Sequence, residues 1–268
     1  MTFTSYSKLN INKIIQKYET KGFVIVKNFF SNKELDKIDQ TLKNIILSIS
    51  KDKRFKNMKD LNTLNFTNLF SKLKKNKPKV AGAIYDSIQI SSYLQSILSS
   101  KKIIHLISKI LNINETKILN FFRTMRLDLP IKNNHLLPWH QDFMHSNKRN
   151  LNYDRGITIW APLNKVDQTL GSMKLCVSSH KKRFNIKLNK RTNHNSSEYL
   201  KIESKELKNF KKQIIKCTRG DVVFMNMNCV HSSVQGKSNL IRRTIISRYI
   251  DIDSEGFVPG SSKFTPSI

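Results

Sequence analysis

Apolar residues recur at helical spacing in the first part of the chain and crowd into short β-rich runs in the second. Ile11, Ile14, Ile15 and Tyr18 stand three and four apart, which predicts an amphipathic helix over 8–20. "KGFVIVKNF" reads as a turn and a short buried strand. In "SNKE", Ser31 precedes Glu34 by three, the spacing of a capping box. Leu35, Ile38, Leu42, Ile45 and Ile46 carry a helix from there to about 49. Residues 51–80 are polar and basic and predict no element. A further helical stretch covers roughly 90–111, including "KKIIHLISKIL", where His105 reads as a core or groove histidine.

After 115 the texture changes. "KILNFFRTMRLDLP", "GITIWAPL", "SMKLCV", "QIIKC", "DVVFMN" and "RRTIISRYI" are rich in β-branched and aromatic residues, with turn signals such as Thr-Arg-Gly-Asp at 218–221 between them. Helices mainly within 1–112, then strands over about 115–252, predict a mainly β fold. The natural candidate is an antiparallel jelly roll flanked by N-terminal α-helices, as a single domain over 1–268.

Composition narrows the class. Hydrophobic residues make up 38% of the 268, enough for a real core. No apolar run reaches the roughly 18 residues of a membrane span. The N-terminus lacks the basic-then-apolar pattern of a signal peptide, and we expect a cytoplasmic protein. Cys176, Cys217 and Cys229 form no CxxC pair and read as buried structural thiols. The charge is unusual: 48 Lys and Arg stand against 19 Asp and Glu, a net +29. Such a field attracts anions. The basic residues are dispersed, however, through "SKDKRFKNMK", "KLKKNKPK", "HKKRFNIKLNKR" and "KNFKKQIIK", which suits a solvated surface more than a dedicated patch.

The chemistry concentrates in "LLPWHQDFMHS", residues 136–146. His140 and Asp142 are two apart, so an extended backbone would point both to one side. An imidazole and a carboxylate are two thirds of the 2-His-1-carboxylate set that holds non-heme Fe(II). The pair alone is a weak signal, and a third ligand must come from a distant strand. His231 is the best candidate, ending the strand-like "RGDVVFMNMNCV". Arg242 and Arg243 open the next strand, and an arginine there can grip a carboxylate with two parallel hydrogen bonds. Strand alternation alone does not choose between them, since they point to opposite faces.

The order His-x-Asp, His, Arg resembles the phytanoyl-CoA dioxygenase family of Fe(II)/2-oxoglutarate oxygenases. Four segments carry the likeness: "GFVIVKNFFSNKELDKI", "PWHQD", "TIWAPLNKVDQTLGSMKLCVSSHKKR" and "RGDVVFMNMNCVHSSVQGKSNLIRRTIISRY". The resemblance implies a double-stranded β-helix (jelly roll, cupin-like) core. It implies that His140, Asp142 and His231 bind the iron. It implies that Arg242, eleven positions after His231, pairs with the far carboxylate of 2-oxoglutarate, and that Trp160 and Ser233 line the co-substrate pocket. It implies hydroxylation of a small-molecule substrate with O2, yielding succinate and CO2. The Asp142 ligand favours hydroxylation, because related halogenases lack it. One departure is "VSSH" at 177–180, where the family often has Pro-Gly-Ser-His.

Other residues get plainer readings. His145 is a loop or substrate-side residue, His180 closes a turn, Trp139 packs, and His135 and His194 belong to no constellation. Arg126 and Asp128 either reach the pocket or form a structural salt bridge. The basic segments 50–60 and 181–191 could rim the pocket and favour an anionic substrate. Three other readings stay open. One is a non-catalytic basic jelly roll that binds nucleic acid or anionic surfaces. The others are an oxygenase acting on a macromolecule and a metal-binding isomerase or epimerase.

Overall fold

The computed structural model describes residues 10–130, 136–142, 155–182, 184, 186–189 and 199–254. His135, His145 and His194 lie outside them, as do 183, 185, 190 and 191.

Six α-helices of the described residues come first: α1 (Ile11–Lys21), α2 (Asn32–Ser50), α3 (Leu64–Asn76), α4 (Pro78–Gln89), α5 (Ser92–Leu98) and α6 (Lys101–Leu111). One strand, β1 (Phe23–Val26), lies between α1 and α2. The expected capping box is present: the Ser31 hydroxyl accepts from Glu34 N–H, and the Glu34 carboxylate accepts from Ser31 N–H. Two expectations change here. The basic stretch left unassigned over 51–80 contains α3 and opens α4. Thr63 caps α3, and Pro78 stands in the first turn of α4, where its missing N–H costs nothing. The stretch 90–111 is two helices, because Ser91 and Ser100 each stand at an N-cap.

The strands that follow are β2 (Ile118–Asp128), β3 (Gly156–Pro162), β4 (Ser172–Cys176), β5 (Ile186–Asn189), β6 (Tyr199–Ile202), β7 (Lys212–Ile214), β8 (Val222–Asn226), β9 (His231–Val234) and β10 (Arg242–Asp251). They pair antiparallel into a five-stranded sheet of order β1-β8-β3-β10-β2, a three-stranded sheet β7-β4-β9 and the hairpin β5-β6. Helical residues outnumber strand residues, so the architecture is mixed α and β and not mainly β. No helix of the described residues is long and apolar enough to cross a membrane.

The five-stranded sheet is buried on both faces, which is why its central strands read as continuous apolar runs. Every residue of β3 is buried. Alternation divides the side chains. Val24, Val26, Met125, Leu127, Ile157, Ile159, Val222, Phe224, Ile245 and Tyr249 pack on the helices. Phe23, Trp160, Val223 and Met225 pack on Met173 and Leu175 of the facing three-stranded sheet. Leu35, Ile38, Leu42 and Ile46 are the buried stripe of α2, each worth roughly 1.5–3 kcal/mol of apolar burial.

Two loop features tie the layers. Gly22 caps α1 at φ +83°, and a Cβ there would meet His180 Nδ1 at 2.5 Å, so the site needs glycine twice over. His180 does sit in a turn, with its Nε2 3.1 Å from Glu19 O. In "VSSH", Ser178 takes the left-handed conformation (φ 64°) that suits the family's glycine, and its hydroxyl bonds Thr20 O at 2.7 Å. The loop keeps its turn with a serine in place of glycine.

His105 corrects an expectation. It lies on the outer side of α6, about a third exposed, with Nδ1 2.9 Å from Glu115, while Ile103, Leu106, Ile107 and Ile110 fill the buried side. Segment 50–60 corrects another. Phe55 and Met58 pack into the helix-side core, on the far side of the five-stranded sheet from His140 and Asp142. It therefore does not rim that pocket. The three cysteines are buried and free, and burial pushes the Cys176 thiol up to about 11 and those of Cys217 and Cys229 up to about 12.

Candidate metal centre

Residues 137–142 run along the free edge of β9. Ser233 N–H donates to Leu137 O, and Leu137 N–H donates to the Ser233 hydroxyl, both at 3.0 Å. His140 and His231 exchange two backbone bonds of 2.9 Å, and Asp142 N–H reaches Met227 O at 2.9 Å. His140 and Asp142 share a side as expected, but a single bridge holds them and not a regular strand. His231 opens β9 instead of ending the preceding strand.

The three side chains meet. One ligand atom each from His140, Asp142 and His231 lies within 4.8 Å of the others, and all three residues are buried. The Asp142 Oδ1 is 3.8 Å from His140 Nε2 and 3.7 Å from His231 Nε2. Each ring has its Nδ1 against a backbone carbonyl: Pro138 O at 2.8 Å for His140 and Cys229 O at 3.0 Å for His231. A carbonyl can only accept, so Nδ1 carries the hydrogen and Nε2 of the neutral ring keeps its lone pair. Two imidazole lone pairs converging on a carboxylate oxygen form a donor set that could hold a divalent ion such as iron.

Two residues that the sequence reading passed over hold Asp142. Thr158 on β3 donates to Oδ2 at 2.6 Å, and Arg248 on β10 donates to Oδ1 at 2.7 Å. They stand opposite each other in the β3–β10 register. Burial alone would raise the Asp142 carboxyl, but Arg248, then the histidines and Thr158, hold it well below the usual carboxylate range. The signal was available. Arg248 is six past Arg242, and Thr158 is two before Trp160, so parity puts each on the face of its named neighbour.

The two arginines that open β10 separate. Arg243 faces the helices, fully buried, with its guanidinium on Asp39 and Asn62. Arg242 faces the second sheet. Its Nε and Nη2 meet Asp128 Oδ2 at 3.2 and 2.7 Å, and its Nη1 meets Ser172 O at 3.3 Å. Arg126 binds the other oxygen of Asp128 at 2.7 Å, so the two form a salt bridge, and it lies beside Arg242. Burial would raise the Asp128 carboxyl, and the two guanidinia hold it below its ordinary value. β9 and β10 lie in different sheets, so His231 and Arg242 face each other across the core and are not strand neighbours.

Trp160 is buried on the same face, opposite Ile246 of β10. Ser233 is half-buried, and its hydroxyl secures the loop that carries His140. Trp139 packs as expected, against the small cluster of Cys176, Phe184, Ile202, Leu207 and Val230.

Comparison with known proteins places this arrangement. A family model described as phytanoyl-CoA dioxygenase (PhyH) matches residues 18–244. No curated protein matches the chain. Similar solved structures include the epimerase SnoN in complex with Fe3+, alpha ketoglutarate and nogalamycin RO. It is 14% identical with a TM-score of 0.61, over 94% of this chain and 91% of that one. The carbocyclase SnoK from nogalamycin biosynthesis is 15% identical with a TM-score of 0.60, over 98% of this chain and 91% of that one. EvdO2 from Micromonospora carbonacea var. aurantiaca is 14% identical with a TM-score of 0.60, over 92% of each chain. At these identities the likeness is one of fold.

Proposed function

Because the chain belongs to the phytanoyl-CoA dioxygenase family, we propose that it is an Fe(II)/2-oxoglutarate-dependent dioxygenase that hydroxylates an unactivated C–H bond of a small, anionic substrate. The observation that carries this reading is the buried convergence of His140, Asp142 and His231. In it, two Nε2 lone pairs and one carboxylate oxygen would hold the iron from one side. Iron bound there would supply the oxidative chemistry, converting 2-oxoglutarate and O2 to succinate and CO2 with transfer of one oxygen atom to substrate.

The chain's own part is binding and orientation. Arg242 would anchor the far carboxylate. Its Nη1 sits at Ser172, three residues along β4 from Leu175, the register partner of His231. Three residues of strand span about 10 Å, a reach that suits a five-carbon dicarboxylate stretched from ion to guanidinium. Arg243, turned to the helices, has no such path. Trp160 would wall the pocket, and Ser233 would act through the His140 loop. The net charge of +29 favours an anionic substrate.

We read the two facing sheets as a double-stranded β-helix and residues 1–268 as one domain. The three free, buried thiols fit a cytoplasmic protein. An epimerase and a carbocyclase share the fold, so the same ion site supports a second reading, in which the substrate is rearranged and not hydroxylated.

Without oxygen, Fe(II) and 2-oxoglutarate should give a weak visible charge-transfer band, and admitting oxygen should release succinate. His140→Ala should abolish the band. Neither band nor succinate from the intact chain would end the proposal. Labelled oxygen appearing in the product would separate hydroxylation from rearrangement.

A further inference from the structure

We propose that Arg248 is a positioning residue for Asp142 and its internal counter-ion, supplying in the metal-free protein the positive charge that an ion supplies when bound. The inference rests on the reading that His140, Asp142 and His231 form the metal site.

The Asp142 side chain is 3% exposed. A carboxylate so deeply buried is strongly disfavoured unless a charge and hydrogen bonds compensate it. The imidazoles approach the carboxylate less closely than Arg248 does. Their Nδ1–H groups face backbone carbonyls, and their Nε2 atoms stand 3.7–3.8 Å from Oδ1, beyond hydrogen-bond reach. Among the described residues, Arg248 is the arginine or lysine that ion-pairs with Asp142, at 2.7 Å.

Arg248 is also held independently of any ion. It stands between Phe122 of β2 and Thr158 of β3 in register, and its guanidinium lies 4.5 Å over the Phe122 ring. Thr158 takes Oδ2 and Arg248 takes Oδ1, so the carboxylate cannot rotate freely. The oxygen presented to the two Nε2 atoms is already selected. An ion held by Asp142 would find the carboxylate charge already paired with Arg248. The wild-type protein should therefore gain less stability from metal than a variant lacking Arg248.

The test is the melting temperature of wild type, Arg248→Gln and Arg248→Lys, each stripped of metal by chelator and then saturated with Co(II). In the metal-free state Arg248→Gln should melt about 5–10 °C lower than wild type, the shift expected when a buried pair in a chain this size loses one partner. Co(II) should return at least half of that loss, giving a larger metal-induced rise than in wild type. Arg248→Lys should keep most of the wild-type melting temperature. If Arg248→Gln needs Co(II) during refolding to fold at all, the inference is supported in stronger form. An equal deficit with and without Co(II), or Arg248→Lys as unstable as Arg248→Gln, would overturn it while leaving the metal site standing. Wild type that shows neither a melting shift nor a visible Co(II) spectrum would sink the metal reading and this inference together.

Discussion

The two faces of the five-stranded sheet come from the same strands, and adjacent residues of β10 show how differently they are used. Toward the helices, Arg243 is closed off. Asp39 and Asn62 take its guanidinium, and Asn164 accepts from its backbone N–H. Toward the second sheet, polar groups remain available for exchange. Arg242 shares Asp128 with Arg126 and meets Ser172 O through Nη1 only at 3.3 Å, while Asp142 presents an oxygen to two imidazoles. A buried charge paired within the protein serves the architecture. One with a bonding direction left over serves binding.

The comparison predicts that damage to one face should leave the other intact. The largest effect belongs to His231→Ala. Losing a direct ligand should weaken Co(II) binding by more than about 100-fold, beyond the range expected for outer partners. Far-ultraviolet circular dichroism should stay native, because the His231–His140 pairing uses backbone atoms. Retained Co(II) affinity in calorimetry would break the assignment. Next is Arg243→Met. It strands Asp39, although Arg219 still reaches that carboxylate at 2.9 Å, so a loss of about 2–3 kcal/mol is expected instead of the full cost of an unpaired buried charge. Urea unfolding measures it. Co(II) affinity of the folded fraction should not move, and if it fell tenfold the two faces would be coupled.

Much of this contrast could be read from residue order, and the rest could not, for physical reasons. Ser31 and Glu34 announce α2 because a capping box is local chemistry. His140 and Asp142 stand out by spacing, and His231 by its place before an arginine-led strand. The choice between Arg242 and Arg243 needs the pairing of β10 with β2, which puts Asp128 beside one and not the other, and that pairing is non-local. Helix α3 is masked by Lys72, Lys74 and Lys75, and α4 by the lysine-rich run that leads into Pro78. Their Thr63 cap, Pro78 start and the Phe66, Phe70, Leu73 stripe were nonetheless present. Arg248 lies six residues beyond Arg242 on β10, and that even spacing puts both on one face.

Arg242→Ala should act on the same face as His231→Ala but on a different ligand. Removing a bidentate, charge-assisted contact should weaken 2-oxoglutarate binding by about 10- to 100-fold. Stability should fall by only about 1 kcal/mol, because Arg126 still neutralises Asp128. Titrating the charge-transfer band measures the affinity. Unchanged affinity, or an effect that appears in Arg243→Ala instead, would reverse the assignment of the two arginines.

The smallest expected effect is the sharpest test of independence. Lys51 ends α2 in the left-handed conformation, φ 56°, with its N–H on Leu47 O, a position where glycine relieves the Cβ clash. Lys51→Gly should stabilise the chain by about 0.5–1 kcal/mol, the conformational gain being partly offset by the added freedom of glycine in the unfolded state. α2 carries Asp36 and Asp39, so the gain falls on the layer that seals the helix side. If the faces are separate, the urea midpoint rises while Co(II) and 2-oxoglutarate affinities stay within error of wild type. If tightening α2 also tightens either ligand, the sheet transmits strain from one face to the other, and Arg243 belongs to the function of the site as well as to its support.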